Sequence, residues 1–145
     1  MQFSTKVRYA ARAMIELAVN YKEEAIQLNN IACKQDLSVK YLEQIMAPLR
    51  ARGFVRTRKG SQGGYHLSVD PTKITLFDIV ESVEGSISPV SCVDDDFYCK
   101  RADQCVTRDV WIRVRDAVKR ELQSKTLSEL ADEQKKIDQS KSTLS

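Results

Sequence analysis

The chain has 145 residues, of which 42% are apolar and 30% are charged, a composition ordinary for one globular domain. No stretch approaches the roughly 18 consecutive apolar residues of a membrane helix, and the N-terminal residues lack the apolar core of a secretion signal. We therefore expect a cytoplasmic protein without membrane contact. Lysine and arginine outnumber aspartate and glutamate by 11 to 5 in residues 1–60, whereas acidic residues lead by 15 to 12 in the rest. The basic first half suits a polyanionic partner, unless these charges are only a solvated scatter.

A first helix is predicted from about residue 5 to residue 21, because apolar residues recur there at spacings of three and four. Ser4 or Thr5 can cap its start. Thr5, Lys6, Arg8 and Arg12 lie near that start, where a helix N-terminus together with cations can hold a phosphate. The alternative for these residues is a solvated helix face.

The next segment predicts a helix-turn-helix. A short helix is expected over residues 28–35, with Cys33 as a small buried side chain. A longer amphipathic helix, capped by Ser38, is expected over residues 39–52, although Pro48 should kink it or end its regular bonding. The residues that this second helix can offer to DNA bases and phosphates are Ser38, Lys40, Tyr41, Glu43 and Gln44. An ordinary pair of helices would give the same pattern.

A basic hairpin is predicted directly after these helices. Its strands are expected at residues 54–58 and 65–69, joined by a glycine-rich turn. A hairpin in this position is the wing of a winged helix, which favours a DNA-binding helix-turn-helix over an ordinary helix pair. The wing residues that can approach DNA are Arg58, Lys59, Gly63 and Gly64.

The middle of the chain predicts a helix and then a long loop. Residues 75–78 resemble a capping box that opens the helix, and Gly85 is expected to end it. The loop, over about residues 86–103, is long enough to be either functional or disordered. Three of the four cysteines lie in it or at its end: Cys92, Cys99 and Cys105.

Clustered cysteines in a cytosolic chain indicate metal or redox chemistry, because stable disulfides are rare there. The three thiols are separated by six and five residues, which is not the spacing of a zinc finger or zinc ribbon. Thiolates are soft ligands that suit iron–sulfur clusters. The alternative is a regulatory disulfide between two of these cysteines, without metal.

A long amphipathic helix is predicted from about residue 103 to residue 124. In a small domain its apolar face needs a covering surface, so we expect a helix that pairs with a second copy; packing on its own domain is the alternative. The interface residues are then Val110, Trp111, Val114 and Val118. A short helix is expected from residue 127 to about 133, followed by a frayed polar tail.

These elements predict a mainly α fold with a small β-hairpin wing. Residues 1–84 form a winged helix-turn-helix DNA-binding region, and residues 85–104 form a cysteine loop. Residues 105–133 form a dimerisation helix and a short C-terminal helix, and residues 134–145 form a polar tail. The chain shows no nucleophile–base pair and no nucleotide-binding glycine loop, so we do not expect an enzyme.

Five segments together resemble the Rrf2 family of bacterial regulators: Thr5–Ala10, Tyr41–Gln44, Gly53–Val55, Gly63–Tyr65 and Cys105–Trp111. The resemblance covers about residues 1–133. It implies a homodimeric winged-helix transcription factor, more often a repressor, that binds double-stranded DNA under the control of an iron–sulfur cluster. The three loop cysteines then correspond to cluster ligands, and the outward residues of the second helix to DNA contacts. Lys59 stands where IscR-type members place an arginine in the minor groove.

The chain departs from the family at the fourth cluster ligand. IscR-type members have a histidine where this chain has Arg108, and NsrR-type members draw an aspartate from the position of Arg8. Three cysteines favour a 4Fe–4S cluster with one labile iron, whereas a 2Fe–2S cluster would need a carboxylate ligand. The carboxylate candidates are Asp94, Asp95, Asp96, Asp103 and Asp109. Iron supply, nitric oxide, oxygen and redox state all stay open as the signal.

Overall fold

The computed structural model describes residues 1–144, which form six α-helices and one two-stranded antiparallel sheet. The elements are α1 (Thr5–Val19), α2 (Leu28–Gln35), α3 (Val39–Ala51), β1 (Val55–Arg58), β2 (Gly64–Leu67), α4 (Leu76–Glu84), α5 (Arg108–Leu122) and α6 (Leu127–Leu144). Short 3-10 turns lie at Pro71–Lys73, Ser91–Val93 and Ala102–Gln104. The predicted fold class is therefore confirmed. None of the described helices is both long enough and apolar enough to cross a membrane.

Helix α1 is the centre of the core and contacts α2, α3, α4, α6 and β2. Small side chains on its buried face, Ala10 and Ala13, are fully buried and let neighbouring helices approach closely. The largest side chains packed beside them are Met14, Ile31, Leu42, Ile45, Met46 and Leu49. Because α2 and α3 share this core with α1, the outer surface of α3 is held in a fixed orientation.

Local signals predicted several helix ends correctly. The Ser4 hydroxyl accepts a hydrogen bond at the start of α1, and the Ser38 hydroxyl does the same for α3. Thr75 and Asp78 form a reciprocal capping box at α4, which ends at Gly85 with a φ of +78°. Each of these contacts satisfies backbone groups that a helix end leaves without a partner.

Three expectations about helix ends were wrong. The tail is not frayed, because α6 continues to Leu144 through residues that include neither glycine nor proline; Ser145, the last residue of the predicted tail, lies outside the described residues. Helix α5 begins at Arg108, because a separate turn and an extended Cys105 precede it. Helix α1 ends at Val19 rather than near residue 21.

Two further corrections concern single residues. Pro48 does not end α3, which continues to Ala51. Cys33 is exposed rather than buried. The buried residues of α2 are Leu28, Ile31 and Ala32, so the following residue turns away from the core by about 100°.

Candidate nucleic-acid interface and cysteine loop

Helix α3 is the second helix of the helix-turn-helix and is called the recognition helix below. It presents its predicted polar residues on one outward face. Its first turn is fixed by Ser38, whose Oγ accepts a hydrogen bond from the Tyr41 amide at 3.1 Å. The exposed side chains of this face are Lys40, Glu43 and Gln44. Tyr41 is half-buried, because its ring meets the edge of the Tyr9 ring at a centroid distance of 6.3 Å. The contact between the Tyr41 and Tyr9 rings thus joins the recognition helix to α1.

Arg12, which the sequence grouped with the phosphate-binding cations of the first helix, has a contact that the sequence prediction did not include. Its guanidinium carbon lies 5.7 Å from the centroid of the Tyr9 ring, so it is next to the aromatic pair that joins α1 to α3. The spacing of three residues between Tyr9 and Arg12 on one helix could have indicated this contact. The predicted phosphate-binding residues at the start of α1, Thr5, Lys6 and Arg8, are all exposed.

The wing is a hairpin in which Arg58 pairs with Gly64 and Thr57 pairs with Tyr65. Arg58 and Lys59 are exposed at its end. The linker between α1 and α2 supports the hairpin, because Tyr65 and Ile26 exchange two backbone hydrogen bonds of 2.7 and 2.9 Å. The wing is thereby held beside the helix-turn-helix rather than projecting alone. Nothing in the hydrophobic pattern of the linker indicated this pairing.

Two wing glycines are required by close backbone packing. A Cβ on Gly63 would lie 2.2 Å from the Arg58 carbonyl oxygen, and a Cβ on Gly64 would lie 2.2 Å from the Ile26 carbonyl oxygen. Gly64 also has a φ of +148°, which residues with a Cβ rarely adopt. These glycines therefore have a structural role in addition to their predicted approach to DNA.

An open groove of about 290 Å³ separates the recognition helix from the wing. It brings together four of the predicted DNA-binding residues, Glu43 from α3 and Arg58, Gly63 and Gly64 from the wing. Gln27 and Leu28, which the sequence did not single out, line the same groove. The structure thus combines the two predicted DNA-binding elements into one concave surface.

The cysteine loop places its thiols at three separate points. Cys92 lies in the turn Ser91–Val93, Cys99 lies further along the loop, and Cys105 lies three residues before the start of α5. All three are half-buried free thiols. In residues 1–144, no three histidine, cysteine, aspartate or glutamate side chains come together as a metal site. Three thiols fit a soft metal centre in their chemistry.

The acidic run of the loop is engaged in local hydrogen bonds. Asp94 accepts from the hydroxyls of Ser86 and Ser88, which hold the pKa of its carboxyl below the ordinary value. Asp95 accepts a hydrogen bond of 2.9 Å from the Phe97 amide. The bonds of Asp94 tie the start of the loop to its acidic run, and the bond of Asp95 closes a local turn.

Arg108 connects the loop to the start of α5. Its Nε donates a hydrogen bond of 3.0 Å to the carbonyl oxygen of Cys92, and its guanidinium forms an ion pair with Asp96. Sequence reasoning treated Arg108 only as the residue that replaces a histidine ligand. Its role in tying the loop to α5 depends on a contact between residues 16 positions apart, which no local pattern indicates.

The thiol of Cys105 has a polar environment. Its Sγ lies 3.2 Å from the Thr107 hydroxyl, and the backbone amides of Arg108 and Thr107 also point towards it. These groups, with the Thr107 hydroxyl contributing most, lower the pKa of the Cys105 thiol. More thiolate is therefore present near neutral pH than in an ordinary cysteine, and the thiolate is the form that binds metal or reacts.

Helix α5 has no buried residue among its 15 positions. Three of its apolar side chains remain exposed, at 42% for Val110, 38% for Trp111 and 36% for Val114. Val118 is half-buried. An amphipathic helix whose apolar stripe is uncovered in this way lacks the packing partner that such a stripe ordinarily has.

The fold and this arrangement of residues define a winged helix-turn-helix protein with a thiol-bearing loop beside an uncovered helix. Residues 3–133 match the family model described as "Rrf2: Iron-dependent Transcriptional regulator". The chain belongs to the Rrf2 family of transcriptional regulators, which confirms the family predicted from the sequence. It is accordingly a regulator and not an enzyme.

Relatives of known structure carry the same fold. CymR of Bacillus subtilis, an HTH-type transcriptional regulator, is 45% identical over 131 residues, which are 90% of this chain and 90% of CymR. A structure of that protein, described as the global cysteine regulator of B. subtilis, has a TM-score of 0.75 at 44% identity, covering 91% of this chain and 97% of the other. The oxidised form of Staphylococcus aureus CymR has a TM-score of 0.73 at 37% identity, and the match covers 90% of this chain and 96% of the other. T. potens IscR has a TM-score of 0.74 at 34% identity, and the match covers 92% of this chain and 88% of the other.

Proposed function

We propose that this protein represses transcription in the cytoplasm as a homodimer, bound to an operator in double-stranded DNA. We further propose that the three cysteines of the loop control its DNA affinity. The observation that carries the proposal is the adjacency of two features. The loop with Cys92 and Cys105 is attached to α5, and α5 has the uncovered apolar stripe expected of a dimer interface. A chemical change at the thiols can therefore alter the distance between the two α3 helices of the dimer, one from each copy.

Recognition of DNA is assigned to the groove and to the exposed residues around it. Gln44 and Glu43 can hydrogen-bond base edges in the major groove, and the exposed Lys40 can contact phosphate. Lys59 at the wing end can enter the minor groove, although lysine lacks the planar fork of arginine. The remaining proposed contacts are Thr5, Lys6, Arg8, Ser38, Tyr41, Arg58, Gly63 and Gly64.

Binding assays with two substitutions test this interface. Lys59→Ala should weaken binding to all sequences alike and reduce the salt slope of log K by about 0.9, because one phosphate is no longer neutralised. Gln44→Ala should instead reduce the preference for the operator over unrelated DNA, by about 1–3 kcal/mol. Lys135→Ala, an exposed lysine on α6, is the charge-matched control. Wild-type behaviour of both variants would show that the interface lies elsewhere.

The first proposed sensor is an iron–sulfur cluster on Cys92, Cys99 and Cys105, with 4Fe–4S favoured over 2Fe–2S. When bound, such a cluster supplies a group that responds to iron supply, oxidants or nitric oxide. The three free thiols in one loop and the likeness to T. potens IscR support this assignment. The protein itself contributes the lowered pKa of Cys105, which favours the thiolate form that a metal requires.

Anaerobic purification followed by iron and sulfide analysis tests the cluster. About four irons per chain would support a cubane with an open position, and about two would favour a 2Fe–2S cluster with a carboxylate ligand. Changing any one loop cysteine to serine should lower the iron content strongly, whereas Cys33→Ser should leave it unchanged. If wild-type protein from cells that assemble clusters contains no iron, the iron–sulfur cluster is ruled out as the sensor.

The second proposed sensor is a thiol switch without metal. The lowered pKa of Cys105 and the existence of an oxidised form of S. aureus CymR favour it. A peroxide would accept two electrons and two protons from Cys105 and a second loop thiol, leaving a disulfide and either two waters, from hydrogen peroxide, or one water and one alcohol, from an organic hydroperoxide. Mass spectrometry of iron-free protein before and after peroxide, and again after a dithiol reductant, tests this candidate. A loop disulfide that forms and reverses, with a matching change in DNA affinity, is the expected result.

A further inference from the structure

Arg108 contacts the two cysteines that flank the long middle of the loop. Its amide donates to the Cys105 carbonyl oxygen at 3.3 Å, and its Nε donates to the Cys92 carbonyl oxygen at 3.0 Å. Its guanidinium also pairs with Asp96. The arginine side chain is 19% exposed, whereas that of Asp96 is 79% exposed, so the guanidinium is largely buried and the carboxylate lies mostly in solvent.

We propose that Arg108 is the positioning residue of the cysteine loop. It fixes the segments of Cys92 and Cys105 relative to each other on α5, and it leaves Cys99 on the part of the loop that has to move. This inference rests on the proposed function, in which the three thiols hold a soft metal centre. The position that carries a histidine in IscR-type members thus supports the ligands here by hydrogen bonds to the backbone.

A second arginine supports the same segment. Arg115 lies seven residues after Arg108, which is two turns along the same face of α5, and its Nη1 approaches the Val93 carbonyl oxygen at 3.5 Å. That distance is at the limit of a hydrogen bond, so Arg108 supplies most of the attachment. Asp94, which follows Val93, accepts hydrogen bonds from Ser86 and Ser88 and so ties this segment to the start of the loop.

The remainder of the loop has a different environment. Phe97 is 95% exposed and Tyr98 is 67% exposed, immediately before Cys99. This tip is therefore the most solvent-exposed part of the loop, and we expect it to move most when the three thiols gather, because Arg108 ties the segment of Cys92 to α5. Segments that are ordered before a ligand arrives reduce the entropy cost of binding it. Loss of Arg108 should therefore weaken metal binding as well as loosen the loop.

Amide hydrogen exchange on the reduced, metal-free, full-length protein measures the attachment. In Arg108→Ala, amides of residues 91–96 should exchange at least about tenfold faster, because the two charge-assisted hydrogen bonds of the guanidinium are removed. Exchange in α2 should not change. Arg113→Ala removes the same charge from an exposed position on α5 and is the matched control. Equal exchange in the two variants would overturn the attachment.

Titration with Cd²⁺ alone, a soft cation with strong thiolate absorption in the ultraviolet, measures the positioning. Arg108→Ala should raise the Kd for Cd²⁺ at least about tenfold over that of Arg113→Ala. Arg108→Lys keeps the charge but cannot reach both the Cys92 carbonyl and Asp96 as the guanidinium fork does, so it should give intermediate values. Wild-type affinity in Arg108→Lys or Arg108→Ala would overturn the positioning role.

The two measurements separate this inference from the function on which it rests. Wild-type protein that binds no Cd²⁺ through its loop thiols would argue against the proposed metal centre, and hydrogen exchange would still decide whether Arg108 holds the loop. Faster exchange together with unchanged Cd²⁺ affinity would make Arg108 a structural residue only. Faster exchange together with weaker Cd²⁺ binding is the outcome that the inference requires.

Discussion

The Cys105 thiol has a neighbour that can be removed with little change in shape. Thr107 places its hydroxyl 3.2 Å from Sγ and makes the largest contribution to the lowered pKa of that thiol. Thr107→Val removes the hydroxyl and keeps the branched side chain. The pKa of Cys105 should then rise, so that alkylation reaches half its maximal rate at a higher pH than in the wild type.

Pulse alkylation with peptide mass spectrometry, as a function of pH, measures this change at each cysteine separately. Cys33, exposed on α2 and distant in sequence, is the internal reference in every sample. In both proteins the rate at Cys105 falls as pH decreases through the pKa, because the thiolate is the reacting species. Superimposable profiles for Cys105 in the two proteins would show that Thr107 does not influence the thiol.

The second prediction at the scale of single residues concerns Gly64. A Cβ there would meet the Ile26 carbonyl at 2.2 Å, and neither group is a flexible side chain that can move away. Gly64→Ala should lower the free energy of unfolding by about 2–3 kcal/mol, measured by urea denaturation. Gly60→Ala is the control, because its Cβ would meet open space and the cost of its positive φ is about 1 kcal/mol. Equal destabilisation of both variants would contradict a packing role for Gly64.

The sequence predicted the contacts and burial of some residues but not of others. Ser38 and the pair Thr75 and Asp78 were predicted because a cap depends on residues within one helical turn. Cys33 was misplaced, because its apolar neighbours suggested burial and only the direction of each side chain decides it. Arg108 was assigned no contact with the loop backbone, since its hydrogen bond to Cys92 depends on how the loop folds back.

At the scale of elements, the start of α3 links helix stability to recognition of DNA. Ser38 satisfies the Tyr41 amide, and the residues that follow it are those proposed to enter the major groove. Ser38→Ala should cost about 1 kcal/mol of folding free energy and should weaken operator binding through fraying of the first turn. Ser38→Thr retains the cap and is expected to bind nearly as the wild type does. Urea denaturation and DNA titration measure the two effects, and an unaltered stability of Ser38→Ala would exclude the cap as a contributor.

Elements with strong local signals were predicted closely, and those set by contacts distant in sequence were not. The bounds of α2 agree with the sequence prediction, and the hairpin strands shift by only one or two residues. The pairing of Ile26 with Tyr65 was missed, because a two-residue bridge carries no periodic pattern. Helix α6 was predicted too short, because a polar segment was interpreted as a tail although it contains good helix formers.

At the scale of the whole molecule, helix α5 carries an apolar stripe that the rest of the described chain leaves exposed. Its apolar stripe was visible in the sequence as a periodic pattern, but the pattern alone allowed packing on its own domain. The structure leaves the stripe exposed, which supports the proposed dimer. The segments of Cys92 and Cys105 lie beside this helix, so the proposed sensing loop adjoins the proposed dimer surface.

Val110→Lys tests the dimer directly. In a two-fold symmetric interface each substitution occurs twice. The dimer therefore loses the stabilisation from burying two valine side chains, about 1 kcal/mol each, and it places two lysine charges opposite each other. The dissociation constant of the dimer should rise at least about 100-fold, with a shift towards monomer in sedimentation velocity. Ile137→Lys, at an exposed apolar residue on α6, is the control and should leave the dimer intact. Operator affinity should fall in parallel with dimerisation, because a monomer contacts only one half-site. A monomeric wild type, or a Val110→Lys variant that dimerises normally, would contradict α5 as the interface.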